Sequence, residues 1–213
     1  MLEKNNEEYL ETDTILEAIN SLEVFVLFLK KIPKDNHYWK WAIISLHNSF
    51  QNFMVHALRG TNNFPILDKK SGKKMLNYYQ YNNRNKNLKR PNEKLDYFPK
   101  LYNKIKSNIM IQYINSKKLK STKEIDDDIK RLNNLRNDFI HFIPKLWALE
   151  ISGLPRIFSN TLFIINFLVK KSGNINFYLS SGDNHKILEE KFNNLFSEAQ
   201  KLIKTKNFKK QHA

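Results

Sequence analysis

Three side chains suited to phosphoryl-transfer chemistry fall within the segment LRNDFIHF: Arg136, Asn137 and His141. A guanidinium holds two phosphate oxygens at once, an amide orients an imidazole or a substrate, and an imidazole with a reference pKa of ~6.5 exchanges protons near neutrality. These groups suffice for RNA cleavage without a metal. One group removes the ribose 2′-hydroxyl proton, the oxygen attacks the adjacent phosphorus, a cation stabilises the phosphorane charge, and an acid protonates the leaving 5′-oxygen. A single histidine is a poor choice for acid and base in one step, so a two-fold homodimer is expected to bring a second copy of the site.

The element that must carry these residues reads as a helix. At about 100° per residue, Asn137 and His141 lie one turn apart, with Asn133 and Asn134 on the turn before. Arg136 is displaced toward an apolar stripe of Ile125, Ile129, Leu132, Phe139 and Phe142, and stands ~140° around the axis from His141, so the two border a shared groove. Ser121 and Glu124 form a capping box, acidic residues 124 and 126–128 suit the helix start, and Pro144 suits its end.

Long 3.6-residue periodicities fill the rest of the chain, which holds only five glycines and six prolines. The first helix is expected from Thr12 or Asp13, through Ile15, Ile19, Leu22, Val26 and Leu29, toward Pro33. The second runs from about His37 to Leu58, with Trp41, Ile44, Phe50, Phe53, Met54 and Ala57 forming its apolar pattern and Gly60 after its end. Its other side groups His47, Asn48, Gln51 and Asn52, either as a solvated face or as donors supporting the active helix. Further helices are expected near 97–111, broken around 106–108, from Pro155 to about Lys170, and from Asp183 or Asn184 onward. NINFYLS, between Gly173 and Gly182, suits a short strand or an extended connection. The whole predicts an all-α, up-and-down bundle: one domain over 1–213, with an additional C-terminal helix and a basic tail at 207–213.

Residues 61–95 differ in kind. No acidic residue occurs between Lys69 and Asn92, and tyrosines interrupt the basic run. Lys69, Lys70, Lys73, Lys74, Arg84, Lys89 and Arg90 could neutralise phosphates while Tyr78 and Tyr79 stack on bases, making this loop an RNA-contacting insertion. A solvated loop fits the same composition. Overall, 36 basic residues against 21 acidic ones give +15, which favours a polyanionic partner such as RNA. The chain has no cysteine, which excludes disulfides and thiolate metal sites, and no metal or cofactor is expected. Its apolar runs, VFVLFL and LFIINFLV, fall far short of the ~20 residues that span a bilayer, and the acidic N-terminal stretch lacks signal-peptide order. No membrane association and a cytoplasmic location are expected.

The RNDFIH segment resembles the arginine, four intervening residues, histidine motif of HEPN-domain ribonucleases, with a polar residue after the arginine. WKWAIISLHNSFQNFMVHALRGTN, FPKLYNKIK and WALEISGLPRI are similar to segments of a bacterial HEPN subgroup, over roughly residues 15–200. The resemblance implies an all-α domain that dimerises so that two motifs form one composite, metal-independent RNase site. It further implies that Arg136 and His141 are catalytic and Asn137 supporting, and that the setting is toxin–antitoxin or anti-phage defence, with an antitoxin or other regulatory protein as a partner. The alternative is a non-catalytic HEPN-like module that binds RNA or nucleotide, or that pairs with a nucleotidyltransferase-like protein.

Overall fold

A computed structural model describes residues 10–81, 89–141, 146–177 and 184–205. Among them are seven α-helices: α1 (Thr14–Lys31), α2 (Tyr38–Leu58), α3 (Lys69–Tyr81), α4 (Phe98–Ile105), α5 (Lys123–Ile140), α6 (Leu154–Asn166) and α7 (His185–Lys204). The protein is an all-α bundle. No helix of the described residues is long and apolar enough to cross a membrane.

Asp13 starts α1: its carboxylate accepts from the N–H groups of Ile15 and Leu16, both at 2.8 Å, satisfying donors that the first turn leaves unpaired. α1 and α2 form an antiparallel hairpin. Thr14 meets His56 at one end (2.9 Å), Ser49 donates to the Ala18 carbonyl in the middle (2.8 Å), and Phe28 stacks with Tyr38 and Trp41 at the other end. Against this hairpin α6 sets Phe158, edge-on to Phe25 at 5.1 Å. α7 lies along α1, tied by Lys191–Glu23 (2.6 Å) and Lys30–Glu198 (2.7 Å). α4 and α5 cover the other side of α2, where Phe98 meets Phe50, and Leu132 and Leu135 are buried. Burial of each such large apolar side chain contributes about 1.5–3 kcal/mol, so this core is what fixes α5 in place.

Several expectations require correction. Trp39 is the buried tryptophan of α2, while Trp41 is 46% exposed, because the buried stripe runs through Trp39, Ala42, Ile43, Leu46, Phe50 and Phe53, and Trp41 is about 200° off it. The cap of α5 is Thr122, whose hydroxyl accepts from the Ile125 N–H at 3.4 Å; Ser121 instead bonds Tyr102 and Asp126. Residues 174–176 are neither strand nor helix, and the one β-bridge among the described residues is an isolated one, Leu67 to Leu95.

The loop expected at 61–95 contains α3. Asp68 accepts from the Ser71 N–H at 2.7 Å and starts this helix, while Ser71 and Met75 are buried and anchor one edge of it. Arg84, Phe142, Pro144 and the tail 207–213 lie outside the described residues.

α6 ends in a widened turn of π type, Phe167–Lys171, closed by the Ser172 N–H on the Phe167 carbonyl at 2.8 Å. Just beyond it, the Asn174 amide donates to the carbonyls of Ala57 and Met110, each at 2.9 Å, and accepts from the Ser116 hydroxyl at 2.6 Å.

Candidate active site

α5 ends at Ile140, and His141 is the first residue beyond it, at φ −107° and ψ 52°, with its N–H still bonded to the Asn137 carbonyl at 2.8 Å. That bond keeps His141 one turn beyond Asn137, while the backbone leaves helical geometry at the histidine itself. Its imidazole is exposed and makes no hydrogen bond among the described residues. Arg136, half-buried, donates from Nη1 to Asn137 Oδ1 at 3.1 Å. The pair is pre-arranged, with the remaining guanidinium donors available to an anion. Phe139 and Trp147 pack at 4.8 Å between ring centres beside this end of α5, and Lys40 lies 5.0 Å from Trp41 and 5.9 Å from Phe139.

The polar side of α2 is divided. His47 is 2% exposed, stacked on Phe98 at 4.1 Å, and its Nε2–H donates to Asn133 Oδ1 at 3.1 Å. Burial disfavours the imidazolium and Arg136 adds repulsion, which together outweigh the Asn133 bond and push its pKa down to about 4. At neutral pH this ring is an uncharged donor that braces α5 one turn before Asn137. Asn48 is exposed and donates to the Ser21 hydroxyl at 2.7 Å. Gln51 is half-buried. The expectation of a solvated face thus fails at His47 and holds at Asn48.

Two hollows flank α5. Arg136 lines one of about 330 Å³ with Asn20, Ser21, Trp41 and Asn48, from α1 and α2. Asn133 and Asn134 line another of about 380 Å³ with Tyr102, Lys106 and Asp126. In the second, Asp126 accepts from Tyr102 at 2.6 Å and from Lys106 at 3.0 Å on each oxygen. Burial works to raise the Asp126 pKa, but bonds from Ser121, Tyr102 and Lys106 prevail and hold it below the usual carboxylate value. Burial and the Asp126 bond push Tyr102 well up, so its hydroxyl keeps its proton. Nothing in the sequence pointed to this cluster, since its members lie about twenty residues apart and meet only through packing of α4 on α5.

Among the described residues, the basic side chains of 69–74 and 89–90 are not gathered at this site. α3 springs from the end of α2 opposite to the one beside Phe139. Lys69, Lys70, Lys73 and Lys74 are exposed on it, and Lys89 is exposed beyond it. Tyr79 sets its edge against Phe64 at 5.8 Å and against the half-buried Tyr78 at 5.6 Å. Arg90, also exposed, is paired with Glu93. Among the described residues, no cluster of three or more His, Asp or Glu side chains could hold a metal ion.

Comparison of the chain with protein-family models, with curated proteins and with solved structures finds no match.

Proposed function

We propose that this chain is a HEPN-type endoribonuclease that cleaves RNA without a metal, at a site completed by a second copy of itself. The observation that supports the reading is that Arg136, Asn137 and His141 all stand at the C-terminal end of α5, with Arg136 tied to Asn137 at 3.1 Å and the His141 ring exposed. One His141 takes the 2′-hydroxyl proton, the oxygen bonds to phosphorus, the bond from phosphorus to the 5′-oxygen breaks, and His141 of the second copy protonates the leaving oxygen. Arg136 neutralises charge on the phosphorane, and Asn137 fixes the guanidinium. Support for a second copy comes from exposed Val24, Leu27 and Trp41 on the α1–α2 face that holds the Arg136 hollow: apolar surface suited to a self-complementary contact. A defence role and restraint by an antitoxin-like protein follow from the same family reading, and the composition without cysteine fits a cytoplasmic setting.

The test is incubation of wild type, His141→Ala and Arg136→Lys with mixed RNAs in EDTA, followed by analysis of product ends. Wild type is expected to leave 2′,3′-cyclic phosphates and 5′-hydroxyls. His141→Ala should lose about 10²–10⁴-fold in rate while still binding RNA. Arg136→Lys should also fail, because a point charge does not replace the planar fork. Absence of cleavage by wild type would reject the enzyme and leave the binding-module reading.

A further inference from the structure

At the far end of α5 from His141, a groove of about 520 Å³ separates the 117–120 segment from the end of α6. It is lined by Lys117, Lys118, Lys120 and Lys171, by Phe163 and Phe167, and by Asn166, with no acidic residue among them. Among the described residues Lys117, Lys120 and Lys171 make no ion pair, and Lys118 bonds only the Asn108 amide oxygen, at 3.0 Å. Like charges gathered without counter-charges repel one another, so the arrangement favours occupancy by an anion. Phe163 is 49% exposed beside them, an apolar ring that a flat partner could cover.

The walls are fixed in place. The Lys117 N–H bonds the Ser172 carbonyl at 2.8 Å, and the Leu119 N–H bonds the Ile105 carbonyl at 2.9 Å. Leu119 is buried, so its neighbours Lys118 and Lys120 face outward in a period-two alternation. Phe167 and Lys171, the two ends of the π-type turn, both line the groove; such turns recur at functional sites. A cationic rim, an open ring and an amide that can donate and accept match one chemistry. We infer that this groove binds a nucleotide, its base stacked on Phe163 and its phosphates held by Lys118, Lys120 and Lys171. The nucleotide is either free or one unit of a single strand.

Fluorescence anisotropy on the full chain tests this with two probes: a labelled 2′-O-methyl oligoadenylate, which cannot be cleaved by 2′-hydroxyl attack, and a labelled ATP analogue. Phe163→Ala and the double variant Lys118→Gln/Lys171→Gln are each expected to weaken whichever probe binds by roughly tenfold. Phe163→Tyr, which keeps a stacking ring, should retain wild-type affinity and so guards against misfolding as the cause. For the oligonucleotide, the slope of log affinity against log salt should fall by about 0.7 for each phosphate contact removed. Binding of the oligonucleotide alone identifies a strand, and binding of the ATP analogue identifies a free nucleotide. The inference is overturned if neither probe binds wild type at low salt, if Phe163→Ala leaves affinity unchanged, or if poly-glutamate displaces the probe as well as unlabelled nucleotide does. An affinity that Phe163→Ala leaves unchanged overturns this groove alone and leaves the cleavage reading intact, whereas absence of cleavage by wild type overturns that reading without touching the Phe163 result.

Discussion

His47 and His56 are two buried imidazoles, each with its pKa pushed down to about 4, chiefly by burial and then by a neighbouring arginine, Arg136 or Arg59. In the unfolded chain both titrate near ~6.5. Between those values the unfolded state binds more protons than the native one, so stability falls as pH drops from about 6.5 toward 4 and is fully retained above that window. At 1.36 kcal/mol per pKa unit each histidine withdraws up to about 3 kcal/mol across it. Urea midpoints measured at pH 7.5, 6 and 5 should decline for wild type, and His47→Gln should flatten the decline, since glutamine donates to Asn133 without titrating. An unaltered pH profile in His47→Gln would show that this ring is not the titrating group. The same neutrality bars His47 from carrying protons at pH 7, which leaves His141 as the exposed imidazole on this side of α5.

At the scale of elements, α3 is the least anchored helix. Only Ser71 and Met75 of its thirteen residues are buried, and its contacts run mainly to the short turn at Phe64–Ile66. Met75→Ala, at a cost of about 2 kcal/mol, is expected to open α3 locally: amide exchange should accelerate across 69–81 while α1 and α2 keep their protection. Parallel loss of protection in α1 would contradict this independence. The composition of this stretch, lysines and asparagines with few apolar residues, reads as loop because two anchors are too few to produce a periodic signal. Asp68 was the one local clue, an N-cap immediately before it. α1, α2 and α6 were legible because their buried faces repeat every three to four residues. The tryptophan assignment in α2 failed because Trp39 and Trp41 are equally apolar and only the phase of the whole stripe separates them. At the candidate site, residue types and spacing single out Arg136, Asn137 and His141, but a helical wheel could not register that the helix ends at Ile140. The His47–Asn133 bond spans 86 positions and required the packed bundle to become visible.

For the whole molecule, the proposed dimer carries a consequence that a monomeric site does not share. Mixing wild-type chains with His141→Ala chains produces heterodimers whose common pocket holds one imidazole where the mechanism uses two. RNA cleavage is therefore expected to fall faster than the fraction of wild-type chains, whereas a self-sufficient subunit would lose activity only in proportion to that fraction. The net charge of +15 makes all such assays sensitive to ionic strength, so they belong at one fixed salt concentration.

The Asn174 side chain presents two N–H groups to two backbone oxygens from different segments and one oxygen to a hydroxyl. Hydrolysis of that amide to a carboxylate would alter the shape hardly at all. It would, however, replace the shared donor with lone pairs facing the Ala57 and Met110 carbonyls, so that the junction of α2, the 108–110 turn and the end of α6 would be forced apart. Slow chemical ageing at this one position is therefore a route by which the protein could lose its lysine-lined groove, together with the packing of Ala57 and Met110 in the adjoining core.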